Sequence, residues 1–136
     1  MIKPIVKDTF FLSQKSVEAT KADLPIIRDL QDTLNANREH CVGMAANMIG
    51  HLKNIIIFSL GPVDMVMVNP KIIAKSKPYE VEESCLSLEG VRQTTRYRKI
   101  TVSYQDAHFK KHTGQYQDFL AQVIQHEIDH LHGIII

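Results

Sequence analysis

Phe119-Leu120-Ala121-Gln122-Val123-Ile124-Gln125-His126-Glu127-Ile128-Asp129-His130-Leu131-His132 is the stretch on which the reading of the fold turns. Its apolar residues recur at helical spacing and Gly133 is a natural stop, so a helix is predicted over 119–132. Within it lies an H-E-x-x-H run. At roughly 100° per residue, His126 and His130 fall about 40° apart, so both imidazoles face one point, as a metal ion requires. On the same wheel Phe119, Leu120, Val123, Ile124, Glu127 and Leu131 share an arc of roughly 20° to 160°, with Glu127 near its centre. Gln122, Gln125 and Asp129 point the other way, and Glu127 is therefore expected against the core.

A buried carboxylate without a partner is costly, so Glu127 implies a compensating cation or a function, with a satisfied core ion pair as the plainer alternative. A catalytic metal site normally takes three protein ligands and keeps one position open. His132 points elsewhere on the helix and only a few residues follow, so the third ligand must come from upstream. The candidates are Cys41, Cys85, His40, His51, His108, His112 and several carboxylates. The thiols rank first, because thiolate binds soft and borderline divalent ions tightly. Cys85 follows a strand-like segment that could hold it rigidly. Cys41 sits beside a loop of small residues and reads first as a buried small hydrophobe. His108 and His112 belong to a polar, basic stretch over 106–114 that reads as a solvated hairpin.

Working outward, β-branched stretches at 54–60, 65–68, 71–74, 79–82, 91–95 and 100–104 are predicted strands, punctuated by Gly61-Pro62, Asn69-Pro70 and Gly90. The gaps are too short for helical crossovers, so the pairings should be antiparallel. An amphipathic helix is predicted over 23–37, with Asp23 as N-cap and Pro25 in its first turn. The small-residue run over 42–50 reads as a loop or a strand-like segment. Helix, strands, helix gives the α+β class: mostly antiparallel sheet packed around a C-terminal metal-binding helix.

At 136 residues, 44% hydrophobic and 23% charged, the chain has the composition of one folded domain over 1–136. A formal net charge of +1 offers no field for a phosphate backbone or an anionic membrane, so nucleic-acid and membrane partners are not expected. The longest purely apolar run, Ile55-Ile56-Ile57-Phe58, falls far short of the ~20 residues of a bilayer span, and no secretory leader is legible. A cytoplasmic location is expected, where two cysteines serve as thiols rather than as a disulfide.

Three segments together resemble the peptide deformylase family, which carries G-x-G-x-A-A-x-Q, E-G-C-L-S and Q-H-E-x-D-H in this order. Here they stand as Cys41-Val42-Gly43-Met44-Ala45-Ala46-Asn47-Met48, Glu83-Ser84-Cys85-Leu86-Ser87 and Gln125-His126-Glu127-Ile128-Asp129-His130. The resemblance implies that Cys85, His126 and His130 are the metal ligands, that Glu127 shuttles the proton, and that the Leu86 backbone amide helps to bind an oxyanion. It implies one divalent ion, ferrous iron first, with nickel, zinc or cobalt tolerated. It further implies that an N-formylmethionyl peptide or nascent chain lies along Val42 and Gly43 like an added strand, with Phe119 and Val123 lining the methionine pocket. Transient ribosome contact belongs to the same picture, although the sequence ends at Ile136 without the longer tail of many relatives.

The departures from the pattern are as informative. Cys41 replaces the first glycine and Ser84 the glycine before the ligand, which a loop absorbs if neither position needs a positive φ. Met48 stands where the family has a glutamine whose amide donates to the developing oxyanion, and a thioether has no donor. A metal-dependent deformylase-like hydrolase, slowed at Met48, is the expectation. The rival readings are a metal-bound homologue that binds formylated peptides with attenuated or lost turnover, and a domain whose metal is structural. The last is disfavoured, since a structural site would have four protein ligands and no use for Glu127.

Overall fold

Ile55, Ile56, Ile57 and Phe58 are all fully buried, so the strand they form is covered on both faces, and that single fact places the sheet between two helices. The computed structural model describes residues 1–134. In order, the elements are α1 (Thr9–Leu12), α2 (Leu24–Ala36), β1 (Gly43–Ala45), β2 (Ile55–Ser59), β3 (Asp64–Cys85), β4 (Leu88–Gln105), β5 (Lys111–Gln117) and α3 (Asp118–Leu131). Short 3-10 turns occupy Lys21–Asp23 and Ala46–Ile49. The strands form one antiparallel sheet in the order β1-β2-β3-β4-β5, which is the α+β arrangement expected from the sequence.

Alternation along β2 distributes its side chains between two cores. Ile55 and Ile57 join Ile26, Ile27, Leu30 and Leu34 of α2, together with Met44 and Met48. Ile56 and Phe58 face the other way, to Ile124, Ile128 and Leu131 of α3 and to Ile100 and Val102 of β4. Each of these large side chains contributes roughly 1.5–3 kcal/mol by leaving water, so the helix that carries the H-E-x-x-H run is fixed by the core itself.

The strand boundaries differ from the sequence reading. The three strands predicted at 65–68, 71–74 and 79–82 are one long strand, β3, and those at 91–95 and 100–104 are one strand, β4. Asn69-Pro70 does not end β3; the register shifts between Val68 and Lys71, so the proline's missing N–H falls in a bulge. Asn69 adopts a φ of 51°, and its side chain accepts from Ala19 N and donates to Ala19 O and Gln105 Oε1, tying the N-terminal segment to the sheet. Gly90 likewise lies inside β4, with a φ of 83°. The polar stretch after β4 does turn as a hairpin, but its return arm is the unpredicted strand β5, where His112 pairs with Asp106 at 2.7 Å.

The small-residue run proves to be both a strand and a turn. Gly43–Ala45 pairs with β2 at the edge of the sheet, and Ala46–Ile49 then closes a 3-10 turn, ending at Gly50 with a φ of 93°. All of 43–49 is buried, which explains the small side chains: this segment threads between both cores. Helix α2 starts with Asp23 as its N-cap and Pro25 in the first turn, as predicted, although the Asp23 carboxylate accepts from Thr20 N at 2.9 Å and does not cap α2 itself. No helix among the described residues is long and apolar enough to cross a membrane.

Candidate metal centre and cleft

Cys85 is the last residue of β3 and precedes a two-residue turn, Leu86-Ser87, into β4. The strand leads the thiol to the side of α3. There Cys85 Sγ lies 3.3 Å from His130 Nε2, and His130 Nε2 lies 3.0 Å from His126 Nε2. One ligand atom from each of Cys85, His126 and His130 falls within 4.8 Å of the others, the only such group of three among the described residues. Cys41, His40, His51, His108 and His112 are not part of it. The donor set suits a divalent ion of borderline softness: one thiolate sulfur and two imidazole nitrogens, with both histidines buried and held by adjacent helical turns.

The electrostatics set the two imidazoles apart. Burial, together with the charge on His126, pushes His130 down to about 3, so its imidazole is neutral with a free lone pair. Burial also works against charge on His126, but hydrogen bonds to Cys85 and Glu83 outweigh it and hold this group up at about 10, so an ion bound there would take the place of its Nε2 proton. Ser87 N donates to Cys85 Sγ at 3.5 Å and so fixes the side chain at the end of the strand.

Glu127 lies where the wheel put it, buried against the core and not within the ligand group. Its Oε1 has no hydrogen-bond partner among the protein atoms, and burial, the largest influence on it, raises its carboxyl to about 7. The carboxylate rests on β1: a Cβ on Gly43 would come within 3.0 Å of both Glu127 Oε2 and Val123 Cγ1. Glycine at position 43 thus gives Glu127 and Val123 their room, since a side chain there would need both to give by a few tenths of an ångström.

A cleft of about 390 Å³ opens beside these groups. Cys85, His126 and Glu127 form one side, and Val42, Gly43, Met48, Leu86, Phe119 and Val123 line it as well. Phe119 is 63% exposed, so it borders the mouth, whereas Val123 is 8% exposed and belongs to the wall. Cys41 also lines the cleft; burial pushes its thiol up to about 12, and it donates to Gly43 O at 2.7 Å, the behaviour of a protonated packing residue. A larger hollow of about 450 Å³ lies on the open face of β3, β4 and β5 among Lys75, Lys99 and Gln115, away from every group described above.

Two features of the site were not read from the sequence. The side of α3 carrying Gln125 and Asp129, expected to face away from the core, is covered by the β3–β4 hairpin. Gln125 is 5% exposed, accepting from Tyr97 N and donating to Tyr97 O at 2.8 Å each, so it docks the helix on β4. Beneath the cluster of Cys85, His126 and His130, Glu83 accepts from Arg96 Nε at 2.9 Å and Nη2 at 2.6 Å and meets His126 Nδ1 at 2.7 Å. Burial alone would raise Glu83, but those bonds hold it at about 2. The spacing Glu83-x-Cys85 was a usable signal, because residues two apart on a strand share a face.

The family model described as polypeptide deformylase matches residues 2–136. A peptide deformylase of Clostridium beijerinckii is 60% identical over 136 residues, covering the full length of both chains. Among solved structures, a peptide deformylase from Legionella pneumophila superposes with a TM-score of 0.89 at 30% identity, over 98% of this chain and 82% of the other. A class I type b peptide deformylase from Acinetobacter baumannii, bound to Met-Ala-Ser, superposes with the same TM-score at 26% identity, over 99% and 97%.

Proposed function

This chain belongs to the peptide deformylase family, and from that premise we propose how its own residues remove a formyl group from the amino terminus of a peptide. The enzyme is a metal-dependent amide hydrolase. The observation that carries the assignment of roles is the meeting of Cys85, His126 and His130 beside a buried carboxylate that has one unpartnered oxygen and faces a cleft.

Cys85, His126 and His130 would hold the ion, for which we take ferrous iron, zinc and nickel also suiting this donor set. Bound there, a divalent ion supplies Lewis acidity at the formyl carbonyl and at water. Glu127 is the proton carrier. Its carboxyl, raised to about 7 by burial, can take a proton from water and return it to the leaving amine near neutral pH. The Leu86 backbone N–H, one residue past the ligand, is the donor for the oxyanion.

Gly43 and Val42 would guide the peptide. β1 is an edge strand, paired with β2 on one side only, so an extended peptide beside it continues the sheet. Phe119 and Val123 offer apolar surface for the methionine side chain. The Acinetobacter relative carries a Met-Ala-Ser peptide, which supports this use of the cleft. The nascent chain is then the partner, met at the ribosome. Anaerobic reconstitution with ferrous iron or nickel should give stoichiometric formate release from a formylmethionyl peptide. A fully loaded protein that releases none would overturn the assignment.

Met48 lines the cleft, is 1% exposed and accepts from Ala45 N through Sδ at 3.5 Å, so its thioether offers the oxyanion no proton. The neighbouring amide does not replace it: Asn47 Nδ2 donates to the backbone carbonyl of ligand His130 at 2.9 Å. One preorganised donor is worth ~10²–10³ in turnover, so Met48→Gln should raise kcat markedly. Asn47→Ala should instead weaken the helix anchor. If Met48→Gln leaves the rate unchanged while Asn47→Ala abolishes it in a folded, metal-loaded protein, the donor is Asn47 and the assignment is reversed. A homologue that only binds formylated peptides is not favoured, since the relative matched over the full chain carries the enzyme's name and Glu127 stands in the cleft.

A further inference from the structure

Arg96 sits on β4 and touches none of the three ligands, yet it is 3% exposed and fully engaged. Its Nε and Nη2 bind the Glu83 carboxylate, and its Nη1 binds Asp129 Oδ2 at 2.5 Å. Glu83 lies two residues before ligand Cys85 on β3, and Asp129 lies between ligands His126 and His130 on α3. One guanidinium therefore joins both ligand-bearing elements. Glu83 in turn accepts from His126 Nδ1, which commits the Nδ1 proton and leaves Nε2, turned toward His130 and Cys85, as the nitrogen that would bind an ion.

We propose that Arg96 is a positioning residue for the metal centre, a clamp that holds Glu83 under His126 and pins the Cys85 hairpin to α3. The inference rests on the reading of Cys85, His126 and His130 as the metal ligands. An arginine is needed because only its planar fork reaches two carboxylates on separate elements while binding one of them through two nitrogens. Lysine keeps the charge but not the fork. With the clamp broken, the His126 ring is free to rotate and the hairpin tip to lift, so the ion should leave faster without any ligand having been changed.

The test is ion retention on the purified full chain loaded with cobalt(II) or zinc, challenged with a chelator, beside the cobalt absorption spectrum and the melting temperature. Glu83→Gln, Asp129→Asn and Arg96→Lys should each hold one ion but release it faster, with affinity ~10–100-fold weaker and a shifted cobalt spectrum. Arg96→Lys should not rescue. Arg96→Met leaves the buried Glu83 and the part-buried Asp129 without their shared cation and is the variant at risk of not folding, so the decision falls on the other three. Wild-type retention and an unchanged spectrum in Glu83→Gln and Asp129→Asn overturn the clamp. A wild-type chain that takes up no ion overturns the reading of the ligands, and this proposal with it.

Discussion

Glu127→Gln is expected to keep one metal ion per chain and to lose turnover by a factor of ~10²–10⁴, the usual worth of a positioned acid–base group. The two halves of this result have separate origins. Retention follows because Glu127 stands outside the group of ligand atoms. Loss follows because the amide fills the same space against Gly43 and Val123 but cannot accept the proton of an attacking water. Metal content and formate release measured on one preparation decide it. A variant that loses the ion, or that hydrolyses at the parental rate, contradicts the role.

The same substitution has a signed effect on stability, because the folded-state carboxyl of Glu127 is raised from 4.5 to about 7. The folded chain then binds more protons than the unfolded chain between those values, so stability falls as pH rises through that window and stays low above it. Glutamine does not titrate. Metal-free Glu127→Gln should match metal-free wild type below the window and exceed it above pH 7, by up to about 3 kcal/mol if the full shift applies. Denaturant melts at pH 5 and pH 8 would show it, and equal differences at the two values would remove burial as the cause of the raised pKa.

The parts of the site legible in the sequence are those fixed by a repeat of known geometry. His126, Glu127 and His130 are placed by the helical period alone, whereas Cys85 stood among several candidates and was singled out by the resemblance of its motif. What escaped is whatever depends on which surfaces meet. A wheel separates Gln125 and Asp129 from the apolar arc, but it cannot show that the β3–β4 hairpin covers them and binds Gln125 through the Tyr97 backbone and Asp129 through Arg96. Nor does any local pattern mark Arg96, whose partners stand 13 and 33 residues away. The strand boundaries failed for a related reason. Asn69-Pro70 and Gly90 are turn residues by chemistry, yet a long twisted strand admits them as bulges when its partner continues alongside.

Cys85→Ala and His130→Ala are each expected to abolish stoichiometric metal binding, while Cys41→Ala keeps it. The contrast matters because both thiols line the same cleft, and from composition and spacing either could have been the third ligand. Only Cys85 Sγ lies with the two imidazole nitrogens; Cys41 is held protonated by burial and turned to the Gly43 carbonyl. Loss of a direct ligand should exceed the ~10–100-fold that an outer hydrogen-bond partner is worth. Metal dependence of the melting temperature gives a second readout: an ion present at about a thousand times its dissociation constant adds about 4 kcal/mol to the folded state. That increment should be clear in the wild type and in Cys41→Ala and absent in the two ligand variants. Because the β3–β4 hairpin also holds α3 through Arg96 and Gln125, the ligand variants should still fold, so missing metal would report ligation rather than collapse. Stoichiometric ion retained at wild-type affinity by both Cys85→Ala and His130→Ala would remove the centre from this site.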